Sequence, residues 1–252
     1  MDQEKEGGRV LVAFDIEIAK EVEGNDWSIF RPLGITCAAL CYESGETVIV
    51  HGGLGVRDYA PRLTYENARR LVDKLGNNTI ITWNGMGFDF DILAEECCHP
   101  YKRNGLYVDL CKSLALNHID IGFQMFCERG FMVGLNAAAK GLGLKGKTEG
   151  MDGAKAPTLW AQGFFQQEKV LEYVGQDAVT TMQVYKELLK QGSLTWTTKR
   201  GTPAKYPWTP TVKEGRLLTV KECLELPLPN TSWMDEAWSR EKFTGWIDGK
   251  TA

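Results

Sequence analysis

The stretch Val10-Leu11-Val12-Ala13-Phe14-Asp15-Ile16-Glu17 decides how the chain folds. Its first five residues are uninterruptedly apolar, with β-branched members, which is the pattern of a central strand buried on both faces. Two carboxylates close it. Strand alternation sends Asp15 and Glu17 to one face, with Cα atoms roughly 6–7 Å apart, and turns Ile16 to the other. Alone, an Asp-x-Glu is common and reads as a solvated strand end. Placed behind a buried strand, it becomes a candidate site.

Working outward, Leu33 to Tyr42 and Thr47 to His51 read as an antiparallel hairpin turning at Glu43-Ser44-Gly45-Glu46. Thr64 to Leu75 has apolar residues at helical spacing, with Thr64 as N-cap and Gly76 as stop. Thr79 to Trp83 predicts a fourth strand, Phe88 to Cys98 a helix, and Tyr107 to Leu110 a short fifth strand. Cys111 to Leu144 reads as helices broken by glycine, and Gln167 to Lys190 as one long amphipathic helix. Strands alternating with helices predict an α/β fold. From residue 194 on, the chain carries five of the eight tryptophans and five of the nine prolines with little periodicity. The expected organisation is therefore a domain over 1–193 and an extension over 194–252 whose aromatics pack on it.

The chain has 252 residues, 43% of them hydrophobic and 25% charged, enough for a sizeable core in a soluble globular protein. No run approaches membrane-spanning length, and Met1 to Arg9 is charged rather than leader-like. Seven cysteines without a regular framework read as reduced thiols, so a cytoplasmic location is expected. A net charge of −4 argues against a protein that coats nucleic acid electrostatically. It leaves a nuclease open, because acids that gather divalent cations need no overall basicity.

Two further segments carry acids in telling places. Trp83-Asn84-Gly85-Met86-Gly87-Phe88-Asp89 runs from a strand end into a helix start, where a carboxylate also serves as a first-turn residue. Tyr173-Val174-Gly175-Gln176-Asp177 lies in the long helix, and its i, i+4 pair brings phenol and carboxylate to one face.

Together the three segments resemble the DEDD exonuclease superfamily, in its tyrosine-bearing branch, which includes the proofreading domains of family-B DNA polymerases. Asp15 and Glu17 match the first motif, Asn84 with Phe88 and Asp89 the second, Tyr173 with Asp177 the third. The histidine branch does not fit, since all three histidines lie before residue 119. Of the two acids in Phe88-Asp89-Phe90-Asp91, the pattern selects Asp89, five residues after the asparagine and directly behind an aromatic. The resemblance spans roughly Val10 to Leu189 and includes Leu135-Asn136 opening a helix.

The resemblance implies a ribonuclease H-like five-stranded mixed sheet flanked by helices, with three antiparallel strands followed by two parallel ones. It further implies 3′→5′ exonuclease activity with two Mg²⁺ or Mn²⁺ ions held by Asp15, Glu17, Asp89 and Asp177. Tyr173 would be a catalytic partner of the four acids, and Ile16, Asn84 and Phe88 would contact substrate. The partner would be single-stranded nucleic acid or its 3′ ends, DNA or RNA. Without a polymerase-sized remainder the chain looks like stand-alone bacterial relatives of those exonuclease domains, so repair, trimming or proofreading in trans are the roles to expect. The competing reading is a noncatalytic nucleic-acid-binding module, which has no need of four acids and a tyrosine.

Two motifs are set aside. Gly141 to Thr148 matches the phosphate-loop pattern GxxxxGK[ST], but helix-like sequence precedes it and loop-like sequence follows, so nucleotide hydrolysis is not expected. Cys97-Cys98-His99 with Cys111 lacks paired CxxC spacing and is not expected to hold zinc.

Overall fold

The computed structural model describes residues 9–24, 26–55, 57–98, 105–146, 153–198 and 200–249. Strand β1 (Leu11–Ile18) sits at the centre of a five-stranded sheet ordered β3-β2-β1-β4-β5. β2 (Ile35–Tyr42) pairs antiparallel with β1, and β3 (Thr47–His51) antiparallel with β2. Helix α1 (Tyr65–Gly76) then crosses to β4 (Thr79–Thr82), which runs parallel to β1. The capping box at Thr64 and Asn67 satisfies the first turn of α1 reciprocally.

Helices α2 (Asp89–Glu96) and α3 (Leu106–Asn117) lead to β5 (Ile119–Asp120), parallel to β4. The expected strand at Tyr107 to Leu110 is therefore wrong: those residues are the first turn of α3. Their neighbours explain it, because Cys111 and Ala115 are buried four residues apart on one helical face. The true fifth strand has two residues, too short to leave a periodic signal. Next come α4 (Ile121–Arg129), α5 (Leu135–Gly141), α6 (Ala156–Trp160) and the long α7 (Phe164–Gln191). Beyond it lie a small ribbon, β6 (Val212–Lys213) with β7 (Arg216–Leu217), and two short helices, α8 (Val220–Leu224) and α9 (Glu241–Thr244).

The sheet separates two cores, and β1 feeds both. Val12, Phe14, Ile16 and Ile18 point into one, where Phe14 meets Phe90 of α2 at 5.6 Å between ring centroids. Ala13 points into the other, against α7 residues such as Val170, Val174 and Ala178. A strand buried on both faces is what the continuous apolar run predicted. Alternation therefore puts Asp15 and Glu17 on the α7 side.

The C-terminal residues add to both cores. Trp208 and Leu217 join the α7 side, and Leu218, Val220 and Phe243 the opposite one. Glu128 accepts from the Trp208 indole at 2.6 Å, and Gln124 accepts from the Leu218 amide at 2.9 Å.

Candidate active site

β1 and β4 pair only from Leu11↔Thr79 to Ala13↔Ile81, so the last residues of β1 run on without a strand on that side. There the Asp89 carboxylate takes the place of a ladder partner, accepting from the Ile16 amide at 3.1 Å. The Phe14–Phe90 contact fixes the start of α2 against β1 and so supports that bond. On the far side β1 stays paired with β2, Asp15 opposite Ala39 and Glu17 opposite Cys37, up to an irregularity between Glu17 and Ile18. Two backbone anchors thus hold the segment bearing both acids.

α7 brings the third segment. Between Tyr173 and Asp177 it carries Gly175, where a Cβ would stand 3.3 Å from the Ile49 side chain of β3. The missing side chain lets the helix axis approach the sheet, and Tyr173 and Asp177 are both buried there. Carboxylate oxygens of Asp15, Glu17 and Asp177 lie within 4.8 Å of one another, the one such acid group among the described residues. Glu17 and Asp177 are only 5% and 4% exposed, so this is no solvated cluster.

Ionised carboxylates this close in a buried setting repel one another, and a cation between them relieves that repulsion. Hard oxygen donors at this spacing fit a divalent cation such as Mg²⁺ or Mn²⁺. Asp89 stands outside the trio. Burial, and after it the nearby Asp120 carboxylate, push its pKa up to about 7, against the lowering effect of amide hydrogen bonds.

Every residue matched to a catalytic or substrate-binding role lines one cleft of about 330 Å³: Asp15, Ile16, Glu17, Asn84, Phe88, Asp89, Tyr173 and Asp177. Asp91, the alternative acid, instead pairs with Arg31 and is not among the lining residues. Phe88 meets Trp27 edge-on at 5.4 Å, and the Arg31 guanidinium covers Trp27 at 4.7 Å. Trp27 carries no signal in the sequence, since nothing in its neighbourhood marks it as close to β1.

Asp120 is the other residue missed. Fully buried, it accepts from the amides of Asn84 at 2.8 Å, Met86 at 2.8 Å and Phe123 at 2.9 Å. It therefore holds the 84–86 turn and caps α4 at once. Asn84 is left-handed, at φ 69°, a conformation asparagine tolerates better than most residues. Next to it, His118 Nδ1 lies 2.7 Å from the Ala115 carbonyl, which only accepts, so Nδ1 carries the proton. In the neutral ring Nε2 then accepts from Thr82 Oγ1 at 2.9 Å, and that oxygen accepts from the Gly85 amide at 3.1 Å. Asp120's one sequence trace is an acid directly before an apolar helical run.

The start of the phosphate-loop match is the end of helix α5 rather than a strand, and its Lys147 and Thr148 lie outside the described residues. Cys97 and Cys111 bring their sulfurs to 4.0 Å, Cys98 is exposed, and His99 lies outside the described residues. No helix among the described residues is long and apolar enough to cross a membrane.

Comparison with known proteins agrees with this fold. A family model described as the RNase_H superfamily matches residues 34–189, more than half of the chain. No curated protein matches. Among solved structures, the family B DNA polymerase from the hyperthermophilic archaeon Pyrobaculum calidifontis aligns with a TM-score of 0.51 at 17% identity. The alignment covers 73% of this chain and 25% of the polymerase, so the likeness is one of fold to a quarter of a larger protein.

Proposed function

Since the chain belongs to the RNase H superfamily, we propose that it is a metal-dependent 3′→5′ exonuclease that hydrolyses phosphodiester bonds at nucleic-acid ends, DNA in preference to RNA. The observation that carries this reading is the meeting of Asp15, Glu17 and Asp177 within 4.8 Å, in a cleft also lined by Asp89 and Tyr173. A noncatalytic binding module gains nothing from burying that much like charge.

Asp15, Glu17 and Asp177, joined by Asp89 from the start of α2, would hold two Mg²⁺ or Mn²⁺ ions. Such ions supply an activated water and stabilise charge on the phosphoryl group during in-line displacement. The protein's own groups do the rest. Tyr173, whose hydroxyl can both donate and accept, orients the attacking water by a hydrogen bond. Phe88 forms the apolar wall against which the terminal base is placed, Ile16, its side chain in the core, meets the substrate through its backbone, and Asn84 offers its amide to the strand. Asn84→Ala should weaken nucleic-acid binding and leave Mn²⁺ binding intact, since an amide is a poor ligand beside four carboxylates.

In this reading residues 1–193 form the nuclease domain and 194–252 an extension to it, acting in the cytoplasm on single-stranded nucleic acid or 3′ ends. The test is digestion of matched DNA and RNA strands, labelled at one end, with Mg²⁺ or Mn²⁺ and with Asp15→Ala as control. A 5′-blocked strand should be shortened and a 3′-blocked one should survive. Laddering by the Asp15→Ala protein, or survival of strands blocked at the 5′ end alone, defeats the proposal.

A further inference from the structure

The carboxylates open in two directions. Besides the cleft that holds Tyr173, a second cleft of about 340 Å³ begins at Asp15, Asn84 and Asp177 and runs over Met132 and Val133 to Trp238. Trp83 fixes its floor by donating from its indole to the Val133 carbonyl at 3.1 Å. One residue upstream of Met132, Phe131 lines a third cavity of about 460 Å³ whose other walls come mainly from the residues after 193. There Phe131 meets Trp196 at 5.7 Å and Trp233 at 5.9 Å, both edge-on.

Three large rings along this path are left in water: Trp233 is 64% exposed, Tyr206 62% and Trp238 47%. Two of them carry an ammonium. Lys205 Nζ lies 5.0 Å from the centre of the Tyr206 ring, and Lys242 Nζ 4.1 Å from that of Trp238. Aromatic faces alternating with mobile cations are suited to unpaired bases linked by phosphates. The ring takes the base, and the displaced ammonium takes the adjoining phosphate. The one acid lining the third cavity, Glu128, is already engaged by the Trp208 indole, the Thr211 amide and the Gln124 amide.

We propose that the segment after Ser193 is a second nucleic-acid-binding surface, on which the unpaired strand leaving the carboxylate cleft stacks first on Trp238 and then in the basin of Phe131, Tyr206 and Trp233. The proposal rests on the exonuclease reading for the identity of the strand's reacting end. It adds a track that grips the rest of the strand and makes binding depend on its length.

The test is fluorescence anisotropy with end-labelled oligothymidylates, using Asp15→Ala protein so that nothing is cut. Added to that background, Trp233→Ala with Tyr206→Ala should weaken binding of a 20-mer about 10- to 100-fold, the loss of one or two stacked bases. Binding of a trinucleotide, too short to leave the cleft, should be unchanged. Lys205→Gln should lower the salt dependence of 20-mer binding by about one phosphate contact.

Equal binding of the 20-mer by parent and double variant overturns the track, as does an equal loss at both lengths. A concentration-dependent dimer in sedimentation that the double variant abolishes also overturns it, because the aromatic basin would then bind a second copy of the chain. The two readings fail separately. A wild-type protein that binds with this length dependence but digests nothing refutes the nuclease and keeps the track. One that digests normally while the double variant binds like its parent does the reverse.

Discussion

The carboxylate cleft and the residues after 193 are ordered by opposite means. The cleft's acids ride on long elements: β1 is paired with β2 along nearly all its length and with β4 at its start, and α7 runs 28 residues against the sheet. Among its described residues the C-terminal segment has no element longer than five residues. It is held by side chains reaching backbone, such as Gln124 to Thr211 and Leu218, Glu222 to Thr219, and the Trp246 indole to the Met86 carbonyl. Groups that must converge within a few ångströms need rigid carriers, whereas a surface that follows a flexible strand needs only anchored rings.

The largest effect expected of that contrast is at Asp177. Asp177→Ala should abolish measurable turnover and lower Mn²⁺ affinity in calorimetry while the melting temperature stays within a few degrees, because α7 survives the change. Unaltered Mn²⁺ binding would remove Asp177 from the ligand set. Tyr173→Phe deletes one oxygen and should cost about 10²–10⁴-fold in single-turnover cleavage, the range for one positioned group in proton handling. Its Mn²⁺ titration should match wild type, and near-normal cleavage would reduce Tyr173 to a packing residue.

Asp120 sharpens the comparison from the scaffold side. Asp120→Ala strips three amides, two of them buried, of their acceptor and should destabilise the fold by about 2–4 kcal/mol in urea unfolding, discounted for relaxation of the 84–86 turn. Asp120→Asn, which keeps one acceptor oxygen, should fall between. A loss below about 1 kcal/mol for Asp120→Ala would show the turn to be held by other means.

The smallest effect lies in the C-terminal segment. Glu222 binds Arg216 by two hydrogen bonds, Lys213 by one, and caps α8 through Thr219. The Arg216 guanidinium first, then Lys213 and Thr219, hold its carboxyl well below the ordinary value of 4.5. A depressed folded-state pKa gives stability that is full above the unfolded-state value and drains away as the pH falls below it. Glu222→Gln should therefore cost about 1–2 kcal/mol at pH 7 and flatten the decline of stability between about pH 4.5 and 2. Parallel acid-unfolding curves for the two proteins would discount the pair.

Much of this is legible in the sequence. The apolar run Val10 to Phe14 announced a central strand, because only a strand covered on both faces is apolar without alternation. The i, i+4 spacing of Tyr173 and Asp177 put both on one face of a helix, because 3.6 residues make a turn. Short-range periodicity failed at Tyr107 to Leu110, where the apolar spacing suited a short strand as well as a helical turn, and the two-residue β5 was too brief to compete.

By itself, then, the sequence determined the sheet's core strand, the helix bearing Tyr173 and Asp177, and the acids worth testing, since each depends on residues a few positions apart. Tertiary structure alone decided which of those acids meet. Asp15, Glu17 and Asp177 converge because Gly175 lets α7 lie close on the sheet, while Asp89 turns one oxygen to the Ile16 amide. Trp27 beside Phe88, Asp120 under the 84–86 turn and Trp238 at the carboxylates were invisible for the same reason. Each acts on residues dozens to more than two hundred positions away, and contacts at that range are set by packing, which no local pattern encodes.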